Sequence, residues 1–212
     1  MSASEPAPVA PTARSLCDMK ARTALSVSVC LPAHDEEATI GEIVAAIRHS
    51  LVERDRLVDE IVVLDDGSAD RTAERAAEAG ATYLIAPDFR ADVVAWAVER
   101  ELPVVPGALT PTEVAAAWAA GATAVKVFPV SAVGGPAYVK AVRAPLPEVP
   151  LMPTGGVGID DIGAYLAAGA AAVGVGAPLL GDAGGPGGDL AALAARARRA
   201  VAAATGAAGE VK

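Results

Sequence analysis

Lys126 stands in the run Ala122-Thr123-Ala124-Val125-Lys126-Val127-Phe128-Pro129, an apolar stretch that reads as a buried strand. Alternation along such a strand sets Ala124, Lys126 and Phe128 on one face and Val125 and Val127 on the other. Lysine is rarely buried without a partner, because taking an ammonium out of water is costly. Burial favours the neutral amine. A neutral amine in an apolar site is a nucleophile toward carbonyls and can form a Schiff base. The alternative is a lysine near a strand end whose head group snorkels to solvent. Further along, Thr154-Gly155-Gly156 closes a second apolar run. A double glycine lets backbone amides approach a carboxylate or phosphate closely, or forms only a tight strand-to-helix turn.

These residues need a scaffold. From residue 25 onward, short β-branched runs alternate with alanine-rich helical segments. Strands are predicted over residues 25–32, 59–64, 82–86, 103–106, 123–128, 150–154 and 171–174. Helices are predicted over 39–51, 70–79, 91–99, 110–119, 136–142, 159–168 and 189–203. Asp70, Thr110 and Asp160 supply a cap or a first-turn acid. Ala79-Gly80-Ala81, Ala120-Gly121-Ala122 and Ala168-Gly169-Ala170 share one punctuation, a helix stop before the next strand. Repeated strand-helix units imply parallel strands joined by right-handed crossovers. About seven units are present, one short of a closed eight-stranded barrel.

Apolar residues make up 53% of the 212 residues but aromatics only 3%, so the core must be built from Ala, Val, Leu and Ile. The net charge of −9 argues against nucleic acid or an anionic membrane surface as partner. An anionic substrate stays open, since backbone N–H groups bind phosphate without net positive charge. No apolar stretch is long enough to span a bilayer. Cys17 and Cys30 have no metal-like spacing, and His34 and His49 are isolated, so no metal site is expected. The cysteines are expected to be reduced thiols in a cytoplasmic protein. Residues 1–22 read as a disordered tail without the features of a signal peptide.

From residue 81 to about 205 the chain resembles the 2-keto-3-deoxy-6-phosphogluconate (KDPG) aldolases, class I enzymes on a (β/α)8 barrel. The motifs, in order, are Ile85-Ala86-Pro87, Pro103-Val104-Val105-Pro106-Gly107 with Thr110-Pro111-Thr112-Glu113, Val125-Lys126-Val127-Phe128-Pro129 with Gly134-Gly135-Pro136, Pro153-Thr154-Gly155-Gly156-Val157, and Val173-Gly174-Val175-Gly176. The resemblance implies that Lys126 is the Schiff-base lysine, that Phe128 and Pro87 flank the substrate, and that Thr154, Gly155, Gly156, Gly174 and Gly176 bind its carboxylate or phosphate. It implies no cofactor, a keto-acid substrate and a homo-oligomer, a trimer in that family. Where the family usually has serine after the last glycine pair, this chain has Ala177, so one hydroxyl donor to phosphate is missing.

Residues 23–80 carry a different resemblance. Val27-Ser28-Val29-Cys30-Leu31-Pro32-Ala33-His34-Asp35-Glu36-Glu37 and Ile61-Val62-Val63-Leu64-Asp65-Asp66-Gly67-Ser68-Ala69-Asp70-Arg71-Thr72 are similar to the start of an inverting nucleotide-sugar glycosyltransferase of the glucosyl-3-phosphoglycerate synthase kind. In that family the Pro32/Glu36 turn and the Asp65 position contact the nucleotide. The downstream Asp-x-Asp that would hold a metal on the diphosphate does not occur after residue 82. The segment therefore reads as scaffold in a chimera spliced at a compatible strand-helix boundary, the whole forming one domain. The splice removes the aldolases' early-strand Glu, Arg and Thr; Asp65 and Asp66, at the carboxyl end of a strand, are the candidates for the proton-transfer role.

The expectation is an α/β chain of about seven parallel strand-helix units, an incomplete or distorted TIM barrel. The expected activity is cleavage of a 2-keto-3-deoxy sugar acid to pyruvate and an aldehyde. A keto-acid- or phosphate-binding barrel and a nucleotide-sugar-binding fragment are the alternatives.

Overall fold

The computed structural model describes residue 20 and residues 28–65, 67–183, 185 and 187–208. The expected tail lies outside the described residues except for Lys20, as do Cys17 and the candidate Asp66. The chain divides into two compact units, Met1–Leu64 with Ser68–Tyr83 and Asp65–Gly67 with Leu84–Lys212.

In the first unit, β1 (Ser28–Ala33) lies beside β2 (Glu60–Asp65), whose last residue counts with the second unit. Ile61, Val62 and Val63 are buried in succession, so β2 is covered on both faces, as its unbroken apolar run requires. The helix α1 (Ile40–Ile47) buries Ile40 and Val44, one turn apart, and α2 (Thr72–Glu78) buries Thr72, Ala73 and Ala76. The predicted helix over 39–51 runs on from α1 into a wider π-helical segment, Arg48–Arg54.

Two loops of this unit are locked together by hydrogen bonds. The backbone N–H groups of Asp35, Glu36 and Glu37 donate to Ser68 Oγ (2.9 Å), Thr72 Oγ1 (2.8 Å) and Asp70 Oδ2 (3.0 Å). In return, Asp35 Oδ1 accepts from Ala69 N–H (2.8 Å) and Glu37 Oε2 from Arg71 N–H (3.3 Å). A hydrogen bond from the Thr72 hydroxyl is the largest of the effects that hold the Asp70 carboxyl below its ordinary value.

In the second unit, β3 (Tyr83–Ile85) pairs in parallel with β4 (Val104–Val105) from Leu84 onward. Next, β5 (Gly107–Ala108) pairs in parallel with β6 (Val125–Val127), and β6 with β7 (Leu151–Pro153). β4 and β5 are one extended run interrupted at Pro106, which has no N–H to donate. The run stays in step with its neighbour, since Thr123 and Lys126 donate to the carbonyls of Val104 and Pro106, both at 2.9 Å. The strand predicted over 171–174 is a single parallel bridge, Thr154 to Gly174. Ala171 and Gly174 also donate to the Leu151 and Pro153 carbonyls of β7, both at 2.9 Å, but three residues here span two of β7, so the pairing stays irregular.

Helices α3 (Ala91–Val98), α4 (Pro111–Ala119), α5 (Pro136–Arg143) and α6 (Ile162–Ala167) each bury an i, i+3 pair: Val94/Ala97, Val114/Ala117, Val139/Val142 and Ile162/Tyr165. That spacing lines one helix face. Together with Val125, Val127 and Leu151, which are fully covered, the pairs of α4 and α5 and Tyr165 build a core of small aliphatic residues. A short α7 (Ala177–Leu180) precedes α8 (Leu190–Ala208). Arg196 anchors α8 by donating to the carbonyls of Leu179 and Leu180, both at 2.7 Å.

The predicted helix stops form as left-handed turns at Gly80, Gly121 and Gly169, and the residue after each donates back across the last turn. A fourth stop was not legible. Glu101 takes the same left-handed conformation (φ 54°), and Leu102 N–H bonds the Ala97 carbonyl at 3.0 Å.

Candidate active site

Lys126 is the middle residue of β6, with Gly107 opposite it on one side and Met152 on the other. Val125 and Val127 point into the aliphatic core, which turns Lys126 to the opposite face, where it is only 6% exposed. Its Nζ lies 4.8 Å from the centroid of the Phe128 ring. That is cation–π distance for an ammonium and apolar contact for a neutral amine.

The rest of the expected site converges on this strand. A Cβ placed on Gly107 would lie 1.9 Å from the Pro87 carbonyl oxygen, and Gly107 N–H donates to the Asp88 carbonyl at 3.0 Å. Pro87 is thus pressed against the residue in register with Lys126, an approach that only glycine permits. Beyond β7, Thr154 N–H donates to the Val127 carbonyl, and Val130 N–H to the Thr154 carbonyl, both at 2.9 Å. A Cβ on Gly155 would sit 2.9 Å from the Phe128 ring, and one on Gly174 would sit 2.4 Å from Thr154 Oγ1. Gly155 and Gly156 both take positive φ, 87° and 74°. Pro87, Phe128, Thr154 and Gly155 therefore follow the carboxyl ends of β3, β6 and β7, with Gly174 bridged to Thr154 and Lys126 in the middle of β6. Gly156 lies one residue further, against Ser131, and Gly176 at the start of α7, where a Cβ would meet nothing within 4 Å.

Asp65 is the last residue of β2 and is 3% exposed. It lines a cavity of about 10 Å³, room for one water, with Asp88, Arg90, Ala86 and Pro106 among its walls. The hydrogen bond to Asp92 raises the Arg90 guanidinium above its ordinary value, and the charges of Asp92, Asp88 and Asp65 add to this. Glu60, the first residue of β2, sits at the other end of the strand and accepts from the Ser28 hydroxyl.

Several participants escaped the sequence reading. Gly107 was visible only as part of a motif, Met152 as an apolar residue, and Asp88, Arg90 and Ser131 carried no signal. The turn after β5 is also built from both sides. Glu113 accepts from Thr110 N–H (2.7 Å) and Leu109 N–H (2.9 Å), which holds its carboxyl below the ordinary value. Tyr138 Oη donates to the Leu109 carbonyl. Among the described residues no cluster of His, Cys, Asp and Glu could hold a metal ion, and no helix is long and apolar enough to cross a membrane.

Parallel strands alternating with helices, with polar and glycine-rich positions gathered at the strands' carboxyl ends, define a parallel α/β protein of barrel-like kind, without a closed barrel among the described residues. The chain belongs to the KDPG and KHG aldolase family, which matches it over residues 39–193. It is 33% identical over 130 residues to a 2-dehydro-3-deoxy-phosphogluconate aldolase of Pseudomonas aeruginosa, covering 59% of each chain. A solved 4-hydroxy-2-oxoglutarate/2-dehydro-3-deoxyphosphogluconate aldolase is 30% identical, with a TM-score of 0.70 over 93% of this chain and 90% of that one. A glucosyl-3-phosphoglycerate synthase of Mycolicibacterium paratuberculosis is 49% identical over 61 residues, 29% of this chain and 18% of the synthase. The chain thus spans about three-fifths of the Pseudomonas relative and less than a fifth of the synthase. The family match begins at residue 39, inside the segment whose motifs resemble the synthases.

Proposed function

We propose that this chain is a class I aldolase that cleaves, or in reverse forms, a 2-keto-3-deoxy sugar acid, with a phosphorylated acid such as 2-keto-3-deoxy-6-phosphogluconate as the reference substrate. The observation that carries the reading is Lys126, buried mid-strand with its Nζ over the Phe128 ring, which in turn lies against Gly155. Lys126 Nζ adds to the C2 carbonyl and water leaves, giving an iminium. The C4 hydroxyl loses its proton as the C3–C4 bond breaks, and that electron pair flows into the iminium. The products of this step are an aldehyde and an enamine of pyruvate. Protonation at C3 and hydrolysis then release pyruvate and the free amine. Pro87 and Phe128 flank the bound chain, while Thr154, Gly155, Gly156, Gly174 and Gly176 receive its anionic end.

The proton steps need a group that titrates or exchanges. Asp65 takes this role in our reading, because it is a buried carboxylate at a strand's carboxyl end, in the unit that carries Lys126. Asp66, its chain neighbour, is the second candidate. The 23–80 segment serves as scaffold: Asp35, Glu37 and Asp70 already accept backbone amides within it. We read the protein as a cytoplasmic homo-oligomer, a trimer as the resemblance implies, with 81–205 as an aldolase-like half-barrel in one domain with 23–80.

Borohydride reduction in the presence of pyruvate, read by intact mass and peptide mapping, tests the reading. A pyruvyl adduct on Lys126, absent from Lys126→Ala, is the expected result. A folded protein that acquires none has no Schiff-base nucleophile, and the assignment fails.

A further inference from the structure

The Gly155-Gly156 turn has a hydroxyl beside it that no motif pointed to. Ser131, in the 3-10 turn Val130–Val133 that follows β6, is tied to the glycine turn by its own N–H, which donates to the Gly155 carbonyl at 3.2 Å. Its side chain lies over the next residue: a Cβ on Gly156 would come within 2.1 Å of Ser131 Oγ and 2.6 Å of Ser131 Cβ. Glycine at 156 therefore leaves space that this hydroxyl occupies. Among the described residues, Ser131 Oγ and the N–H groups of Gly155, Gly156 and Val157 make no hydrogen bond within the protein. The other hydroxyl at the turn is engaged, since Thr154 Oγ1 donates to the Met152 carbonyl at 3.2 Å. Ala177, at the start of α7, has no hydroxyl to offer.

We propose that Ser131 Oγ is a substrate-binding donor that, with the backbone amides of the Gly155-Gly156 turn, holds an oxyanion of the substrate, either its phosphoryl group or its carboxylate. The inference deepens the aldolase reading and rests on it for the ligand's identity. A hydroxyl and adjacent amides suit an anion in a chain with a net charge of −9, because they attract it without a cationic side chain. Ser131 is exposed on a surface turn, so its replacement leaves the core intact.

The test uses two ligands on the full chain, with wild type, Ser131→Ala and Ser131→Asp compared after matched thermal melts. Inorganic phosphate, titrated by ³¹P NMR, stands for the phosphoryl source. Pyruvate, titrated by the yield of borohydride-trapped Lys126, stands for the carboxylate source. Loss of one hydrogen bond to a charged group weakens binding roughly tenfold or more, and the Asp variant, which sets a like charge against the anion, should abolish it. A tenfold shift in the phosphate titration alone assigns Ser131 to the phosphoryl end; a shift in the pyruvate titration alone assigns it to the carboxylate. Unchanged affinity in both titrations overturns the proposal. Failure of wild type to trap pyruvate defeats the aldolase reading instead, and the phosphate titration still decides whether Ser131 binds an oxyanion.

Discussion

Gly107→Ala isolates the approach that brings Pro87 to the lysine strand. The added Cβ would stand 1.9 Å from the Pro87 carbonyl oxygen, 2.1 Å from its carbon and 2.6 Å from Asp88 N. Normal contact is roughly 3.5 Å, so one backbone must retreat by about 1.5 Å. All three obstructing atoms are main chain, so no rotamer change relieves the clash. Overpacking of this kind costs about 1–3 kcal/mol, and a backbone obstacle belongs at the upper end. At 2–4 °C per kcal/mol for a chain of this size, the melting temperature should fall by roughly 6–12 °C. Gly107 is in register with Lys126, so the shift also reaches the site. A misplacement of about 1 Å can cost on the order of 10²-fold in rate. Gly176→Ala is the control, because the same methyl there meets nothing within 4 Å, and its stability should stay within about 0.5 kcal/mol of wild type. Urea unfolding gives the first quantity and the rate of pyruvate trapping the second. A Gly107→Ala protein with wild-type stability and trapping rate would refute the claim that this approach shapes the site.

Glu101 occupies a left-handed helix stop that ordinarily falls to glycine, so Glu101→Gly should stabilise the fold by about 1 kcal/mol in urea unfolding, and a destabilised variant would contradict this. Glu113 is held below its ordinary value by the amides of Thr110 and Leu109. A carboxyl depressed on folding adds stability above its unfolded pKa, and that stability fades as the pH falls through the folded value. Stability of wild type should therefore decline on acidification more steeply than that of Glu113→Gln, as acid titrations followed by circular dichroism would show. Asp65→Asn should slow exchange of pyruvate's methyl protons by about 10²–10⁴-fold while leaving the Lys126 adduct intact, and unchanged exchange removes Asp65 from the proton steps.

What the sequence could disclose was whatever local periodicity encodes. Alternation along 122–129 placed Lys126 and Phe128 on one face, and the pair is 4.8 Å apart from Nζ to ring centroid. The three Gly-Ala helix stops were legible because a left-handed residue has few candidates. Tertiary approach left no such trace. Nothing about Gly107 announces that its missing side chain makes room for the Pro87 carbonyl, since the two meet through separate strands. Ser131 looks like any surface serine until Gly156 is folded beneath it. Glu101 reverses the helix without glycine, so the propensity argument passes over it. The strand predicted over 171–174 forms only as an irregular pairing with β7, because its β-branched Val173 is outweighed by flanking alanine and glycine.

The synthase-like motif also changes meaning once folded. The resemblance gives nucleotide contacts to the Pro32/Glu36 turn and the Asp65 position, while the acids around that turn, Asp35, Glu37 and Asp70, each accept main-chain N–H groups from the opposite loop. The hydroxyls that complete the lock are covered, Ser68 nearly and Thr72 wholly. A carboxylate so engaged already makes charge-assisted hydrogen bonds, and turning it toward a ligand would surrender them. The loops of this unit thus supply a structural reason for the motif that involves no nucleotide. Asp65 stands apart from its neighbours in the motif. It falls in the unit that carries Lys126, buried beside Asp88 and Arg90 at a one-water cavity. Of the described acids in the synthase-like segment, Asp65 is therefore the one that falls in the unit of Lys126, which is why we propose it for the proton-transfer role.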